Sequence, residues 1–537
     1  MKKQLLSVFI CLSMTVIHAG AQTFKYDFSK SMATAIPNLN AIPVDDGWII
    51  MQKKSGGRLY SMEIVVELVR YNKKMEKIKS VIIPLKEQKF VVLKGLYGAK
   101  GECNLIYGYK EKKADDILLL SGIRINPADL SVKGEVSLGS VSTSGKYSIF
   151  TGNGGYDEIS FAFNYSIDSS KFYLLTYPQQ KKKDAKQFGF AILNSDLSKV
   201  YERSIELDVQ SRYVEIESTT LDNEDNFYVQ RRTIPTEDAT SYIDKDDLKY
   251  APEETILTHY TKDAASGKDI PLDQPGKYVY ETKMTLKKAT HKLEIVGTYK
   301  ATQKGRITGI LFCQYDPVTK KISEMKSSPI PGNVLDLLEI DKVAKSSGKD
   351  QGLSLAFTVA ELTYRPNGSV DCMLEFQNAE ERYITSSNGA TGGSYFKFFS
   401  NSILNVNISG NGNMIFTRIP KKQKIEDYSS YTSFYSFYRG NQLILIYNDD
   451  KKNVDRDLSK APDEVQPDRR SSVLMAAIID EKGALRREII YEHNDDDYVT
   501  VPQFSRTISG NNILLTKIKT GKVFEWEATK VGVLNVL

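Results

Sequence analysis

The chain has 537 residues, of which 41% are apolar, 26% charged and 10% aromatic, the profile of an ordered globular protein and not of a disordered or low-complexity one. Its 72 Lys and Arg against 67 Asp and Glu give a formal charge of +5; Lys2 and Lys3 fall in a leader expected to be removed, which lowers the excess of bases to three. So mild a balance excludes a strong electrostatic drive toward nucleic acid or anionic lipid.

The N-terminus reads Met-Lys-Lys, then 13 mostly apolar residues from Leu5 to Ile17, then Ala19-Gly20-Ala21-Gln22. A basic start, a short hydrophobic stretch and an A-x-A site predict a secretory signal peptide over 1–21, cut before Gln22, and a mature domain over 22–537. The apolar run is too short for a membrane anchor, which needs about 20 residues, and no later segment reaches that length. Cys11 follows Val8-Phe9-Ile10 and lacks the small residue that a lipoprotein site wants before its Cys. The expected address is the periplasm, the periplasmic side of the outer membrane, or outside the cell, with no transmembrane segment after cleavage. Cys103, Cys313 and Cys372 remain; they show neither C-x-x-C nor framework spacing and read as small buried strand residues.

Strict alternation then recurs along the chain. Ile159, Phe161, Phe163 and Tyr165 share one face, as do Leu355, Phe357 and Val359, and Leu404, Val406 and Ile408; a period of two marks half-buried antiparallel strands. The runs end in tight polar turns such as Asp45-Asp46-Gly47, Asp168-Ser169-Ser170, Arg365-Pro366-Asn367-Gly368 and Arg439-Gly440-Asn441, whose Gly and Asn supply the positive φ that hairpins need. First-hairpin turns fall near residues 45, 99, 168, 222, 287, 367, 439 and 509, and second-hairpin turns near 72, 126, 194, 261, 316, 409 and 480. Each unit is two hairpins, so the spacing predicts an all-β chain: a single β-propeller of four-stranded antiparallel blades, eight by this count and seven if the indistinct turns near 99 or 261 fail. The last unit lacks a strand, and Thr23 to Phe28 is expected to supply it and close the ring. One short helix is predicted over 334–345. Two β-sandwich domains are the competing architecture on length, but no Pro/Gly/Ser linker divides the chain.

Two Trp, Trp48 and Trp526, are too few for a WD signature in every blade. The stretch Ile419-Pro420-Lys421-Lys422-Gln423, with Tyr428-Ser429-Ser430-Tyr431 and the Arg439-Gly440-Asn441 turn, resembles a segment of uncharacterised exported proteins of Bacteroidota. The Ala21-Gln22 junction is similar to the signal peptides of that group. The resemblance covers about the C-terminal third and implies an exported protein; the family brings no established activity.

Hairpin turns are short, whereas the longer connections at 178–186, 233–254, 377–393 and 449–470 lie within blades and 329–350 lies between two blades. Blade topology sends all five to one face, around the mouth of the central channel, and insertions gathered on one face of a repeat protein mark a binding face. Asn453, Asp455, Asp457 and Glu464 occupy positions 1, 3, 5 and 12 of a calcium-loop spacing, but Leu458 stands where that loop needs Gly and Pro462 stiffens its second half. A solvated Asp/Lys-rich loop explains the same letters, and no other cofactor is called for. Asp495-Asp496-Asp497 and Asp244-Lys245-Asp246-Asp247 read as loop charge. His259, His291 and His493 lie in different units, Glu375 is a candidate carboxylate, and the run Tyr428, Tyr431, Tyr435, Tyr438 fits strand packing as well as ligand stacking. No nucleophile elbow, phosphate loop or dinucleotide fingerprint is present, so catalytic residues are not legible. The expectation is a non-enzymatic exported propeller that binds a protein or glycan partner of the cell envelope. A carboxylate-dependent glycan hydrolase or lyase, and a purely structural envelope component, are the alternatives.

Overall fold

The computed structural model describes residues 24–28, 41–55, 64–85, 90–110, 116–143, 161–181, 184–210, 214–233, 254–348, 351–385, 391–426, 429–494, 497–509, 511–519 and 529–537. The expected signal peptide over 1–21, Trp526, Tyr428, Asp495-Asp496 and nearly all of the connection 233–254 lie outside the described residues.

Among the described residues, eight antiparallel sheets of four or five strands follow one another along the chain, with a small two-stranded ladder, Ala344–Lys345 with Gly352–Leu353, between the fifth and sixth. Blades 1 to 7 span 41–83, 90–142, 161–210, 214–271, 278–329, 357–426 and 435–492, each with strands paired in sequence order. All eight first-hairpin turns and all seven second-hairpin turns read from the sequence join the strands expected, and the blade count is eight. Blade 8 is composite. Its central strands Asn512–Lys519 and Thr529–Val536 pair with each other, and Phe24–Phe28 adds outside them, with Phe24 opposite Val536 and Phe28 opposite Gly532. Its innermost strand is broken into Tyr498–Thr500 and Arg506–Ser509 by a 3-10 turn at Pro502–Phe504.

Eight apolar clusters lie between consecutive blades, and the eighth joins Trp48, Ile50 and Tyr71 of blade 1 to Leu514, Val531 and Val533 of blade 8. The blades therefore form a closed ring. Central strands are apolar on both faces because both are covered: in Gln442–Asp450, Leu443, Leu445 and Tyr447 pack toward blade 6, while Ile444 and Ile446 pack toward blade 8. Outermost strands alternate, as in Lys199–Gln210, since one side meets water. The free thiols of Cys103, Cys313 and Cys372 are buried in this core, where burial raises their pKa values. Several turns adopt positive φ without glycine, at Ser169, Asp225 and His291; the scarce His291 is thus a turn residue, paired with Glu224 at 3.3 Å.

The helix α1 spans Gly332–Ile340, earlier at both ends than the predicted 334–345. Lys342 takes φ 63°, its N–H donates to the Glu339 carbonyl and that of Val343 to the Leu338 carbonyl, a Schellman stop made without the glycine that would have marked it. Val334, Leu335 and Leu338 extend the core between blades 5 and 6.

Closure by Phe24–Phe28 places Phe24, 2% exposed, in the cluster between blades 7 and 8. Replacing Phe24 by Ala is expected to lower unfolding stability by about 3–5 kcal/mol, read as a lower urea midpoint. An unchanged midpoint would mean that the N-terminal strand does not close the ring.

Candidate functional site

The innermost strands of the blades line the channel, and charged side chains on them are the unexpected feature of this chain. Val214–Leu221, Tyr278–Lys287 and Phe357–Tyr364 are the first strands of blades 4, 5 and 6. They carry Glu215, Glu217, Glu281, Lys283 and Glu361 where an all-apolar face would pack equally well. Each strand holds a β-bulge, between Ile216 and Ser218, Val279 and Glu281, and Val359 and Glu361. A bulge re-aims side chains and frees backbone groups, and such irregularities gather beside functional sites.

Two adjoining cavities open here. One, of about 480 Å³, is bounded by Tyr177 and Lys186 of blade 3, Glu215, Glu217 and Arg232 of blade 4, and Glu281 and Lys283 of blade 5. The other, of about 970 Å³, runs from Glu281 and Lys283 past Glu361, Gln377 and Phe399 of blade 6 to Tyr435 of blade 7 and Arg506 of blade 8. Both volumes lie in the range of ligand pockets. Tyr177, Gln377 and the strand entries at Val214 and Thr358 belong to the ends of the blades from which the long connections leave, so the cavities occupy the channel mouth on the insertion-bearing face.

Electrostatics in the first cavity centre on Arg232. It gives Nε and Nη2 to Glu215 Oε2 at 2.8 and 2.6 Å, and Nη1 lies 3.1 Å from Glu217 Oε1 and donates to the Tyr280 carbonyl at 3.1 Å. Glu217 Oε2 accepts from Thr282 Oγ1 at 2.9 Å and Gln230 Nε2 at 3.3 Å. With two carboxylates on one guanidinium, burial prevails and pushes the Glu217 pKa up to about 7, against the pull of Arg232 and the Thr282 bond. Burial likewise raises Glu281 and Glu361. Glu281 accepts the Val359 N–H at 3.1 Å on each oxygen, and Lys283 Nζ donates to the Ala360 carbonyl at 3.0 Å. Side chains of blade 5 thus hold the bulged backbone of blade 6 and form a fixed ridge between the cavities.

Glu375, singled out as a candidate acid, lies under the second cavity and meets no second carboxylate. It forms a fully buried pair with Lys421 and accepts from Ser400, Ser433 and Gln377, each at 2.6 Å. Lys421 Nζ also donates to Ser400 Oγ at 2.6 Å and Gln423 Oε1 at 3.1 Å. A charge so fully paired is a structural floor; removing one partner would strand the other at a cost of about 3–5 kcal/mol.

The connection 449–470, expected at the channel mouth, instead covers the outermost strand of blade 6, Met414–Glu426. Val465 bridges Gln423 in parallel, exchanging backbone bonds with Lys422 and Lys424 at 2.9 and 3.0 Å. Arg418 binds the carbonyls of Leu458 and Lys460 and pairs with Asp341 beyond α1. The four residues with calcium-loop spacing go to separate partners. Asn453 Nδ2 donates to Asp449 Oδ1 at 2.8 Å and to the Asp463 carbonyl at 3.0 Å, while its Oδ1 accepts the Asp463 N–H at 2.8 Å. Asp455 is exposed, Asp457 caps the Ser459 N–H at 2.9 Å, and Glu464 pairs with Lys422 and Lys424 at 3.4 and 3.5 Å. Among the described residues, no group of three or more His, Cys, Asp and Glu side chains is arranged to hold a metal ion.

The remaining candidates are structural. His259, lowered to about 4 by burial, bonds Tyr315 through Nδ1 at 2.8 Å and stacks on Tyr228. His493 is buried with Ser472 and Thr500. Of the aromatic run, Tyr438 binds Asp371 at 3.0 Å and Tyr435 reaches the second cavity, while Phe437 between them is core. No helix among the described residues is long and apolar enough to cross a membrane.

No protein-family model matches the chain, and no curated protein matches it. Among solved structures, the chain is similar to the polysaccharide lyase Uly1 at 10% identity and TM-score 0.40, covering 94% of this chain and 100% of that one. The Dos1 propeller is similar at 8% identity and TM-score 0.31, over 96% and 95% of the two chains. A protein of unknown function from Dyadobacter fermentans DSM 18053 is similar at 10% identity and TM-score 0.30, over 70% and 94%.

Glu217 and Asp449 both titrate near 7 because they are buried. Asp449 accepts from Asn453 and the Asp450 N–H, and its Oδ2 has no partner among the described residues. In the unfolded chain such carboxyls ionise near 4.5 and 3.8, so between those values and 7 the native state holds the extra protons and stability falls as pH rises. Glu217→Gln and Asp449→Asn are each expected to stabilise more at pH 7.5 than at pH 5, by roughly 1–3 kcal/mol, a gain that vanishes only below the unfolded-state values, under about pH 4. Urea unfolding at the two pH values checks this; equal gains at both would contradict the shifts.

Proposed function

We propose that this protein is an exported propeller whose channel mouth binds a glycan of the cell envelope. The observation that carries the reading is the make-up of the two cavities. Four carboxylates, Glu215, Glu217, Glu281 and Glu361, stand against four cations, Lys186, Arg232, Lys283 and Arg506, with amides and aromatic rings between them. Dense, mixed donors and acceptors beside ring faces suit hydroxyl-rich ligands, and the balanced charge disfavours a polyanion. A protein partner fits less well, because the large exposed apolar side chains, such as Ile82, Val318 and Leu458, belong to different blades. The signal-peptide-like leader, the periplasmic or outer-membrane address and kinship with exported Bacteroidota proteins belong to this proposal.

A second reading, hydrolysis or lytic cleavage of the bound glycan, is favoured by one observation: Glu217 carries its proton close to neutral pH, as a general acid must.

The test is a glycan array of envelope fractions probed with the mature chain and with Arg506→Met, followed by an assay of new sugar ends on any glycan retained. Retention by the parent, weakened about tenfold in the variant, is expected. Equal retention would place binding elsewhere, and no retention would remove the glycan reading. Release of sugar ends that stops in Glu217→Gln would establish the enzyme.

A further inference from the structure

We propose that the two cavities are adjoining subsites for a single extended, uncharged glycan chain, which crosses from one to the other over the ridge made by Glu281 and Lys283; this rests on the glycan reading above. The cavities share Glu281, Lys283 and Thr358 as a common wall. That wall is held from below, through the Val359 N–H on Glu281 and the Ala360 carbonyl on Lys283, so it does not fold away to merge the two spaces. At about 480 and 970 Å³ each cavity is large enough for a ligand of its own, and a single sugar ring would leave most of the larger one filled with water.

Each cavity also has its own aromatic wall. Tyr177 stands on the blade 3 side of the first, away from the divider, and the second is lined by Phe398 and Phe399 of blade 6 and, at its other end, by Tyr435 of blade 7. Rings at both ends of a divided groove, with polar groups on the divider, suit a ligand that presents apolar ring faces at intervals and hydroxyls between them. A chain of sugars has that pattern, and its flexible linkages can arch over a fixed ridge. Both cavities mix acids with bases: Glu217 and Glu281 against Arg232 and Lys186 in the first, Glu281 and Glu361 against Lys283 and Arg506 in the second. A chain with a carboxylate on every ring would meet a carboxylate of the protein in each, which argues for neutral sugars.

The experiment titrates the mature chain calorimetrically with ladders of neutral xylo-, manno-, cello- and malto-oligosaccharides, and with an oligogalacturonate ladder as the charged comparison. Tyr177→Ala and Phe399→Ala are run beside the parent, with thermal melting to establish that both fold. In the ladder that binds, affinity is expected to rise by about tenfold or more from the shortest to the longest members. Both variants should weaken the long members by about threefold or more, while the shortest binding member senses only one of them. Affinity independent of length, long members that ignore one variant, or preference for the charged ladder would each overturn the inference and leave glycan binding standing. Failure of every ladder, including the charged one, would overturn the glycan reading and this inference together.

Discussion

An eight-bladed ring has no free sheet faces only if its last blade meets its first, and here that depends on Phe24–Phe28 pairing with Thr529–Val536. Each blade is a thin sheet with two apolar faces and cannot bury them alone. The central strands are consequently apolar on both sides, and the clusters between blades form one continuous core around the ring. Loss of the closing strand would expose the faces of blades 7 and 8 and then loosen the contact that Trp48 makes with Val531 and Val533.

Closure also decides where chemistry can sit. The outer strands face solvent and the middle strands are committed to packing, which leaves the inner strands, whose channel-side edge pairs with no further strand, as the place where polar groups converge. Their bulges break the regular alternation, and the freed backbone is taken by Glu281 and Lys283 from the neighbouring blade. Below, the Glu375–Lys421 pair with Ser400, Ser433 and Gln377 fixes the floor of the larger cavity. On the side away from the insertions, Arg365 grips Asp371 bidentately at 2.6 and 3.0 Å and the turn carbonyls of Asn441 and Asp480 in blade 7 at 3.0 and 2.8 Å. Such saturated buried charge contributes more to fixing blade register than to net stability. The site is therefore set by rigid elements, with Lys186 and Gln377 to Ala379 alone reaching it from the described parts of the longer connections.

The fold was legible because hairpin turns are local chemistry: Gly, Asn and Asp at fixed offsets announce each of them, and counting them yields the blades. The site was less so. The loop 449–470 carries the most eye-catching acids, yet pairing of Val465 with the outermost strand of blade 6 and the reach of Arg418 hold it away from the cavities, facts that depend on partners distant in sequence. Partners distant in the loop also decide where Asn453 of the calcium-like spacing goes, since its amide is taken by Asp449 and Asp463. A usable signal did exist. Once the first strand of each blade is known to be innermost, Glu215, Glu217, Glu281, Lys283 and Glu361 stand out as charges in strands that a plain core would make apolar. What the letters do not carry is the bulge at Glu217 and its burial, which raises its proton affinity against the pull of an Arg232 shared with Glu215.

The central claim is that a ligand enters the channel from the insertion-bearing face and rests on the inner strands of blades 4 to 6. Hydrogen–deuterium exchange of the mature chain, with and without a neutral oligosaccharide mixture at saturating concentration, tests it most directly. Slowed exchange is expected only in the backbone around 214–218, 279–283 and 358–361 together with 377–379 and 398–400, the segments that wall the cavities. Protection confined to the opposite face, at the hairpin turns near 222, 287 and 367, would contradict it.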